Sequence, residues 1–511
     1  MVEISNLTIK IRPNRPIING LDLILNKGDK LAVIGEEGNG KSTLFKAINN
    51  INDIKSYCEV EGTILKKKLK IGLLEQALSS DWNQFLVSEY FLKITPTNEI
   101  DYDKYNDFHR LINILLALNL DPKILDSNQK IKTLSGGEKI KLQIAKVLIN
   151  DPDVLLLDEP TNDLDLYTLE WLENFINNQN MPIMFISHDE TLLENTANMI
   201  LHLEQIKGKQ EARHTLVKKS YQEYIYEREI ALKKQEQLAI YDQRDYLKRK
   251  HELSYQKSAV RSAQEKIKDS AVRRTLNKKM KNIVHQEQKL ANTQLTTKPD
   301  IEDAIYIEFE PNITIPTNKV ILNLERDELK IGPKRLTHNI KLLVKGPEKI
   351  VIVGQNGIGK TVLLKMIYDE LKNRKDIKVG YMPQNYDDVL NTDMVALDYL
   401  YEGLEIIDES KIRAYMGNMK FTSDEMLFKI GNLSSGQKAK LLILKLILDK
   451  CNVLILDEPT RNLSPLSNPV IRKMLKDYKG TIISVSHDRK YIMEVRDVVY
   501  ELTSTGMVKK N

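Results

Sequence analysis

The strongest constraint on the fold is a pattern that occurs twice. Ser135 and Ser434, Glu159 and Glu458, and His188 and His487 are each separated by the same 299 positions. The surrounding sequence repeats with them: LSGGEKIKLQIAKVL against LSSGQKAKLLILKLIL, VLLLDEPT against VLILDEPT, and IMFISHD against IISVSHD. Three matches at one offset make a duplicated domain. A chain of 511 residues is too long for one core, so it holds two copies of one fold with a segment between them.

Each copy opens with a buried strand running into a glycine-rich turn. Lys30 to Ile34 leads into GEEGNGKST, with Gly35, Gly38, Gly40, Lys41, Ser42 and Thr43. Lys349 to Gly354 leads into GQNGIGKTV, with Gly354, Gly357, Gly359, Lys360 and Thr361. Both fit the P-loop pattern. Glycines let the backbone wrap phosphates with its N–H groups pointing inward, and the helix that follows places its N-terminus against them. Lys41 and Lys360 would reach the β- and γ-phosphates, and Ser42 and Thr361 would ligate Mg²⁺. Further on, apolar runs end in Asp158–Glu159 and Asp457–Glu458. Both pairs then stand at the C-terminal end of a parallel strand, the edge where doubly wound sheets bind ligands. Asp158 and Asp457 can hold Mg²⁺, directly or through water, and Glu159 and Glu458 can polarise an attacking water. Ser135, Gly136 and Gly137, and in the second copy Ser434 and Gly436, sit at a helix N-terminus, where backbone amides favour an anion. His188 and His487 close another strand, within reach of a γ-phosphate. Gln76 and Gln384 close two more.

The segment between the copies, Lys207 to Lys298, has no Pro and a single Gly, Gly208. Apolar residues recur at helical steps at Tyr221, Tyr224, Ile225, Leu232, Leu238 and Ala239. They do so again from Val260 through Ala263, Ile267, Ala271, Leu276, Met280 and Ile283 to Leu290. It carries 23 Lys and Arg against 11 Asp and Glu, about +12, in a chain whose net charge is +5. The excess base is concentrated here, which points to a polyanion partner held through its phosphates. The segment reads as an antiparallel helical hairpin, with helices over about Ser220–Leu253 and Ala259–Gln294 and a turn at Ser254–Ser258. Each helix would be about 50 Å long. Its tyrosines, Tyr255 among them, either pack helix on helix or stack on bases. The domain boundaries are 1–205, 206–300 and 301–511. No apolar run approaches the roughly 20 residues of a membrane span. The N-terminus lacks the apolar core of a signal peptide. Cys58 and Cys451 are too few for a disulfide framework or a structural zinc site. A cytoplasmic location follows.

This motif set resembles the ATP-binding cassette superfamily. Two cassettes, no membrane span and a charged helical linker are similar to its ABC-F branch. The likeness covers nearly the entire chain. It implies an α/β fold of two P-loop cassette domains joined by a long antiparallel α-helical hairpin. It implies a monomer whose cassettes pair within the chain, hydrolysing ATP to ADP and phosphate with Mg²⁺. One site would take Lys41, Ser42, Gln76, Asp158, Glu159 and His188, closed by Ser434 and Gly436. The other would take Lys360, Thr361, Gln384, Asp457, Glu458 and His487, closed by Ser135, Gly136 and Gly137. Gln76 and Gln384 would join the metal ligands. Members of this branch are ribosome-associated. The implied role is to bind the 70S ribosome at the tRNA exit site, with 23S rRNA and P-site tRNA as contacts. Inserting the hairpin would protect the peptidyl-transferase centre from lincosamides, streptogramins A and pleuromutilins. A housekeeping translation factor is the alternative within the branch. The ATPase subunit of a membrane transporter would not need such a hairpin, and a DNA-repair cassette protein would be expected to carry zinc-binding cysteine clusters. Two departures stand out: Ser435 interrupts the second signature, and Ser464 replaces the acid at Asp165. No aromatic stands just upstream of either P-loop to stack an adenine.

Overall fold

The structure is a computed structural model. It describes residues 2–12, 14–66, 69–76, 78–93, 95–99, 107–162, 164–207, 209–266, 269–293, 295–299, 309, 314–332, 334–403 and 408–510. Gly208, Ile267 and Asp163 of the TNDLD segment lie outside these residues. The chain divides into two compact units. One joins Met1–Tyr221 to Glu302–Asn511, and the other is Gln222–Ile301.

The first cassette runs β1 (Val2–Ile11), β2 (Arg15–Leu25), β3 (Lys30–Ile34), α1 (Lys41–Asn49), β4 (Cys58–Leu65), β5 (Ile71–Leu74), α2 (Val87–Leu92), α3 (Phe108–Ala117), α4 (Gly136–Leu148), β6 (Val154–Asp158), α5 (Leu166–Asn178), β7 (Ile183–Ile186), α6 (Glu190–Thr196), β8 (Met199–Ile206) and β9 (Glu211–Val217). Its main sheet has the order β5-β6-β7-β3-β8-β9. All neighbours are parallel except β8 and β9. Strands β3, β6 and β7 are apolar along nearly their full length and buried at every position. That is what a parallel sheet covered on both faces requires. A three-stranded antiparallel sheet, β2-β1-β4, completes the cassette.

Between the cassettes lie α7 (Tyr221–Lys266) and α8 (Ser270–Ala291). The second cassette runs β10 (Val320–Ile331), β11 (Lys334–Lys345), β12 (Lys349–Gly354), α9 (Lys360–Leu371), β13 (Val379–Met382), α10 (Ala396–Tyr401), α11 (Glu409–Asn418), α12 (Ser423–Met426), α13 (Ser435–Leu448), β14 (Val453–Asp457), α14 (Asn468–Asp477), β15 (Thr481–Val485), α15 (Arg489–Val495), β16 (Val498–Thr503) and β17 (Gly506–Lys510). Its sheet order, β13-β14-β15-β12-β16-β17, repeats the first strand for strand. In both sheets the order carries the strand-end Gln, the Asp–Glu pair, the His and the P-loop side by side along one edge.

The linker is an antiparallel hairpin, as its periodicity predicts, but the turn is elsewhere. Helix α7 is 46 residues long and continues through Ser254–Ser258 to Lys266. Nothing in Ser-Tyr-Gln-Lys-Ser breaks a helix. Ser258 turns its hydroxyl back to the Ser254 carbonyl at 3.0 Å instead of capping a new start. The second helix begins at Ser270, after Asp269, whose carboxylate accepts from the Ala271 amide at 2.8 Å. That Asp-Ser pair is the N-cap signal that marks the turn. Gln264 donates to Asn277 at 2.9 Å, Lys257 pairs with Glu287, and Thr296 donates to Asp242 at 2.6 Å, a register of antiparallel helices. Tyr255 therefore lies inside α7, 73% exposed. Asp269→Ala should cost α8 about 1 kcal/mol at its start. Hydrogen exchange at Ala271 and the next amides should speed up roughly fivefold. Unchanged exchange there would place the turn elsewhere.

Candidate active site

In the first cassette, the P-loop leaves β3 at Gly35, whose φ is +145° and where a Cβ would meet the Leu203 carbonyl oxygen at 2.2 Å. Gly38, Gly40, Gly357 and Gly359 also have positive φ. Lys41, at the start of α1 beside Ser42 and Thr43, is buried and donates to the carbonyls of Gly35 and Glu36 at 2.8 and 2.9 Å. The Ser42 hydroxyl donates to Asp158 at 3.1 Å. Glu159 follows with φ +49°. Its carboxylate accepts from Gln76 at 2.7 Å and Asn162 at 2.8 Å, and lies 3.2 Å from His188 Nε2. Burial would raise the Glu159 carboxyl, but His188, Asn162 and Lys41 outweigh it and hold it at about 2. Asp158 goes the other way. Burial and the Glu159 charge push it up to about 6, against the Ser42 bond.

The second cassette has the same parts with a different balance. Lys360 donates to the carbonyls of Gly354 and Gln355 at 2.8 and 2.9 Å, and Thr361 hydrogen-bonds Asp457. Glu458 takes the His487 amide at 3.1 Å, while the His487 ring stays 3.9 Å away. Burial pushes Glu458 up to about 8 and His487 down to about 3. Asp457 Oδ2, Glu458 Oε1 and His487 Nδ1 are buried without a hydrogen-bond partner among the described residues. These atoms converge on a cavity of about 410 Å³ lined by Lys360, Thr361, Gln384, Asp457, Glu458 and His487, and from the first cassette by Gly136, Asn162 and His188.

That donor set fits a polyphosphate and Mg²⁺. A hydroxyl, a side-chain amide and a carboxylate with an unused oxygen are hard oxygen ligands. Each P-loop lysine rests on backbone carbonyls that a phosphate can replace. At Gly35 and Gly354 a Cβ would collide with a backbone carbonyl, and at the other P-loop glycines the positive φ would strain a side chain. The signature helices contribute through their ends. Ser135 caps α4 in a capping box with Glu138, and Ser434 caps α13 in one with Gln437. Those hydroxyls are engaged, which leaves the first-turn amides as anion donors. Gly137 packs against Thr168, at 2.7 Å from a Cβ placed there, so its role is close helix packing.

The cassettes face each other head to tail. The His188 ring lies 2.7 Å from the Leu463 carbonyl, and Gly436 N donates to Glu37 at 2.7 Å. Beyond the nucleotide edge, Arg472 reaches across with a bidentate pair to Glu190 at 2.5 and 3.3 Å, and also holds Glu494 at 3.0 Å. Lys490 joins Glu190 and Glu194 at 3.2 and 2.5 Å, and Arg489 pairs with Glu173. Arg472 and Glu190 are 3% and 6% exposed. The motif reading did not include this cluster or the acids Glu36 and Glu37. The signal for the latter was GEEG against GQNG. Arg472→Ala leaves the buried Glu190 with Lys490 as its remaining described cation and removes the bidentate pair, which should destabilise the joined cassettes by about 2–3 kcal/mol. The apolar pair Arg472→Met with Glu190→Leu should cost less than either single change. Urea unfolding decides it, and single variants within 1 kcal/mol of the parent would remove this cluster as the joint.

The sequence profile described as ABC transporter matches residues 18–162 and 337–461. The ribosome protection protein VmlR of Bacillus subtilis is 25% identical over 100% of this chain and 88% of its own length. The ABC transporter F family member 5 of Arabidopsis thaliana is 27% identical over 94% of this chain and 71% of its own length. A structure described as ribosome-bound archaeal Pelota and ABCE1 shares the fold with a TM-score of 0.57, at 16% identity, over 98% of this chain and 78% of that one. With two strand-matched cassettes and the profile match in both, the chain belongs to the ABC transporter family, carrying its ATP-binding domain twice.

Proposed function

We propose that this chain is a ribosome-associated ATPase of the F branch, using paired ATP sites to drive a basic hairpin into the ribosome. The observation that carries it is the combination of two apposed cassettes with a separate helical unit holding the excess positive charge. The likeness to a relative named as a ribosome protection protein supports the same reading. The first cassette extends past the expected boundary at 205, because β9 (Glu211–Val217) pairs with β8 in its sheet, so the arm is Gln222–Ile301 rather than 206–300.

In the first site, ATP would draw Lys41 from the Gly35 and Glu36 carbonyls onto its phosphates. Ser42, Gln76 and Asp158 would hold Mg²⁺, which neutralises developing phosphate charge. Glu159 would orient the attacking water and take its proton, with His188 fixed between it and the Leu463 carbonyl. In the second site, Lys360, Thr361, Gln384, Asp457, Glu458 and His487 would do the same, closed by the N-terminus of α4. With both glutamates changed, Glu159→Gln and Glu458→Gln, the chain should still bind ATP. Its phosphate release should fall by about a hundredfold or more. Turnover near that of the parent would end these role assignments.

Held in that ATP-bound state, the chain should co-sediment with 70S ribosomes at the exit site, against 23S rRNA and P-site tRNA. Binding should fall steeply with salt as phosphate counterions are displaced. Changing Lys248, Arg249, Lys250, Arg273 and Arg274 to Gln should weaken it at fixed salt. The finer reading is protection from lincosamides, streptogramins A and pleuromutilins. Expression in a sensitive host should raise the inhibitory concentration of these drugs. Deleting four residues from each helix beside the turn should abolish that rise while ATP turnover persists. Ribosome binding without any change in susceptibility would assign the housekeeping role instead. Recovery in a membrane fraction rather than with ribosomes would overturn the proposal.

A further inference from the structure

The two P-loops differ at their variable positions. The first has acids, Glu36 and Glu37, where the second has Gln355 and Asn356. Acids are unexpected in a cradle for phosphates, since each repels the ligand. Both are engaged across the cassette interface. Glu36 is fixed by Lys440 at 3.0 Å and by the hydroxyls of Ser464 and Ser467, each at 2.6 Å. Glu37 Oε2 accepts from the Gly436 amide at 2.7 Å. Gly436 lies in the first turn of the 14-residue helix α13, where amides have no partner within the helix. The Glu37 carboxylate thus stands where a phosphate oxygen would stand.

At the other interface the acid comes from the opposite side. Asp165 caps α5 through Thr168 at 3.0 Å and accepts from the backbone of Asn356 in the second P-loop. Ser464, its counterpart, is the hydroxyl that receives Glu36. The serine in place of an acid and the acids in the first P-loop are therefore one change: the negative charge has moved from one side of the interface to the other. An acid at both positions would bury two like charges together.

We propose that Glu37 is a specificity-determining residue that sets the order in which the two sites load. It occupies the signature amide of the first site until the terminal phosphate of a nucleotide displaces it. The second site, with a neutral Asn356 at that position and an open cavity, fills first. Glu36 cannot move aside with it, because three partners pin it. The displaced Glu37 has room in a cavity of about 340 Å³ that it lines with Gly38, Ser434 and Lys420. This inference rests on reading both sites as nucleotide sites.

The test is calorimetric titration of the full chain with MgATP, in the Glu159→Gln and Glu458→Gln background. Two classes of site are expected. Lys360→Ala should remove the tighter and Lys41→Ala the weaker. Glu37→Asn should tighten the weaker class by about tenfold or more, the scale of one charge-assisted hydrogen bond, and leave the other within about twofold. Glu37→Gln should act in the same direction, and the reciprocal Asn356→Glu should weaken the tighter class. A gain in affinity at one site is not what a merely damaged fold gives. If each lysine removes one class but Glu37→Asn leaves the weaker unmoved, the loading order does not come from Glu37. If neither lysine removes a class, the nucleotide-site reading fails, and this inference with it.

Discussion

A carboxylate taken out of water has to find a cation, collect hydrogen-bond donors or take up a proton. The facing edges of the two cassettes bury several, and that requirement decides the state of each. Glu36 has a lysine and two hydroxyls and is held at about 2. Glu159 has His188, Asn162 and Lys41 and is held there too. Burial outweighs the His487 amide and the Lys360 and Arg461 charges at Glu458, which rises to about 8. The same sequence element, a strand ending in Asp-Glu, thus appears in two electrostatic states within one chain. The difference comes from how far each histidine reaches and from Asn162, which bonds Glu159 where the second cassette has Arg461.

The division of labour that follows is a physical one. In the first cassette Glu159 and His188 are in contact at 3.2 Å, and the Gly436 amide across the interface is already bonded to Glu37. In the second, Glu458 and His487 stay 3.9 Å apart beside an open cavity. Two copies of one motif therefore differ in geometry within one chain.

Most of the fold was legible because parallel strands buried on both faces have to be apolar throughout, and VLLLD, IMFI and KLAVI say so plainly. The strand-end residues were legible for the same reason: polarity begins where the sheet ends. The hairpin turn was misplaced because a run of polar residues without Gly or Pro is as compatible with a solvated helix as with a loop. The informative signal was Asp269 before Ser270, a cap rather than a breaker. The cluster around Arg472 and Glu190 was not legible. Nothing local distinguishes an arginine that crosses to another domain from one that meets water. Cys58 and Cys451 are both buried free thiols, with burial pushing Cys451 up to about 12.

That cluster also has a polarity. Glu173, Asp189, Glu190 and Glu194 all come from the first cassette, and Arg472, Arg489 and Lys490 all come from the second. A two-fold dimer of identical domains needs one surface that matches itself. Here that surface has been split into an acidic half and a basic half. Each half complements the other and repels its own copy. Two copies of either cassette could not form this joint with these residues, so the pairing of unlike halves is written into the charges of the interface.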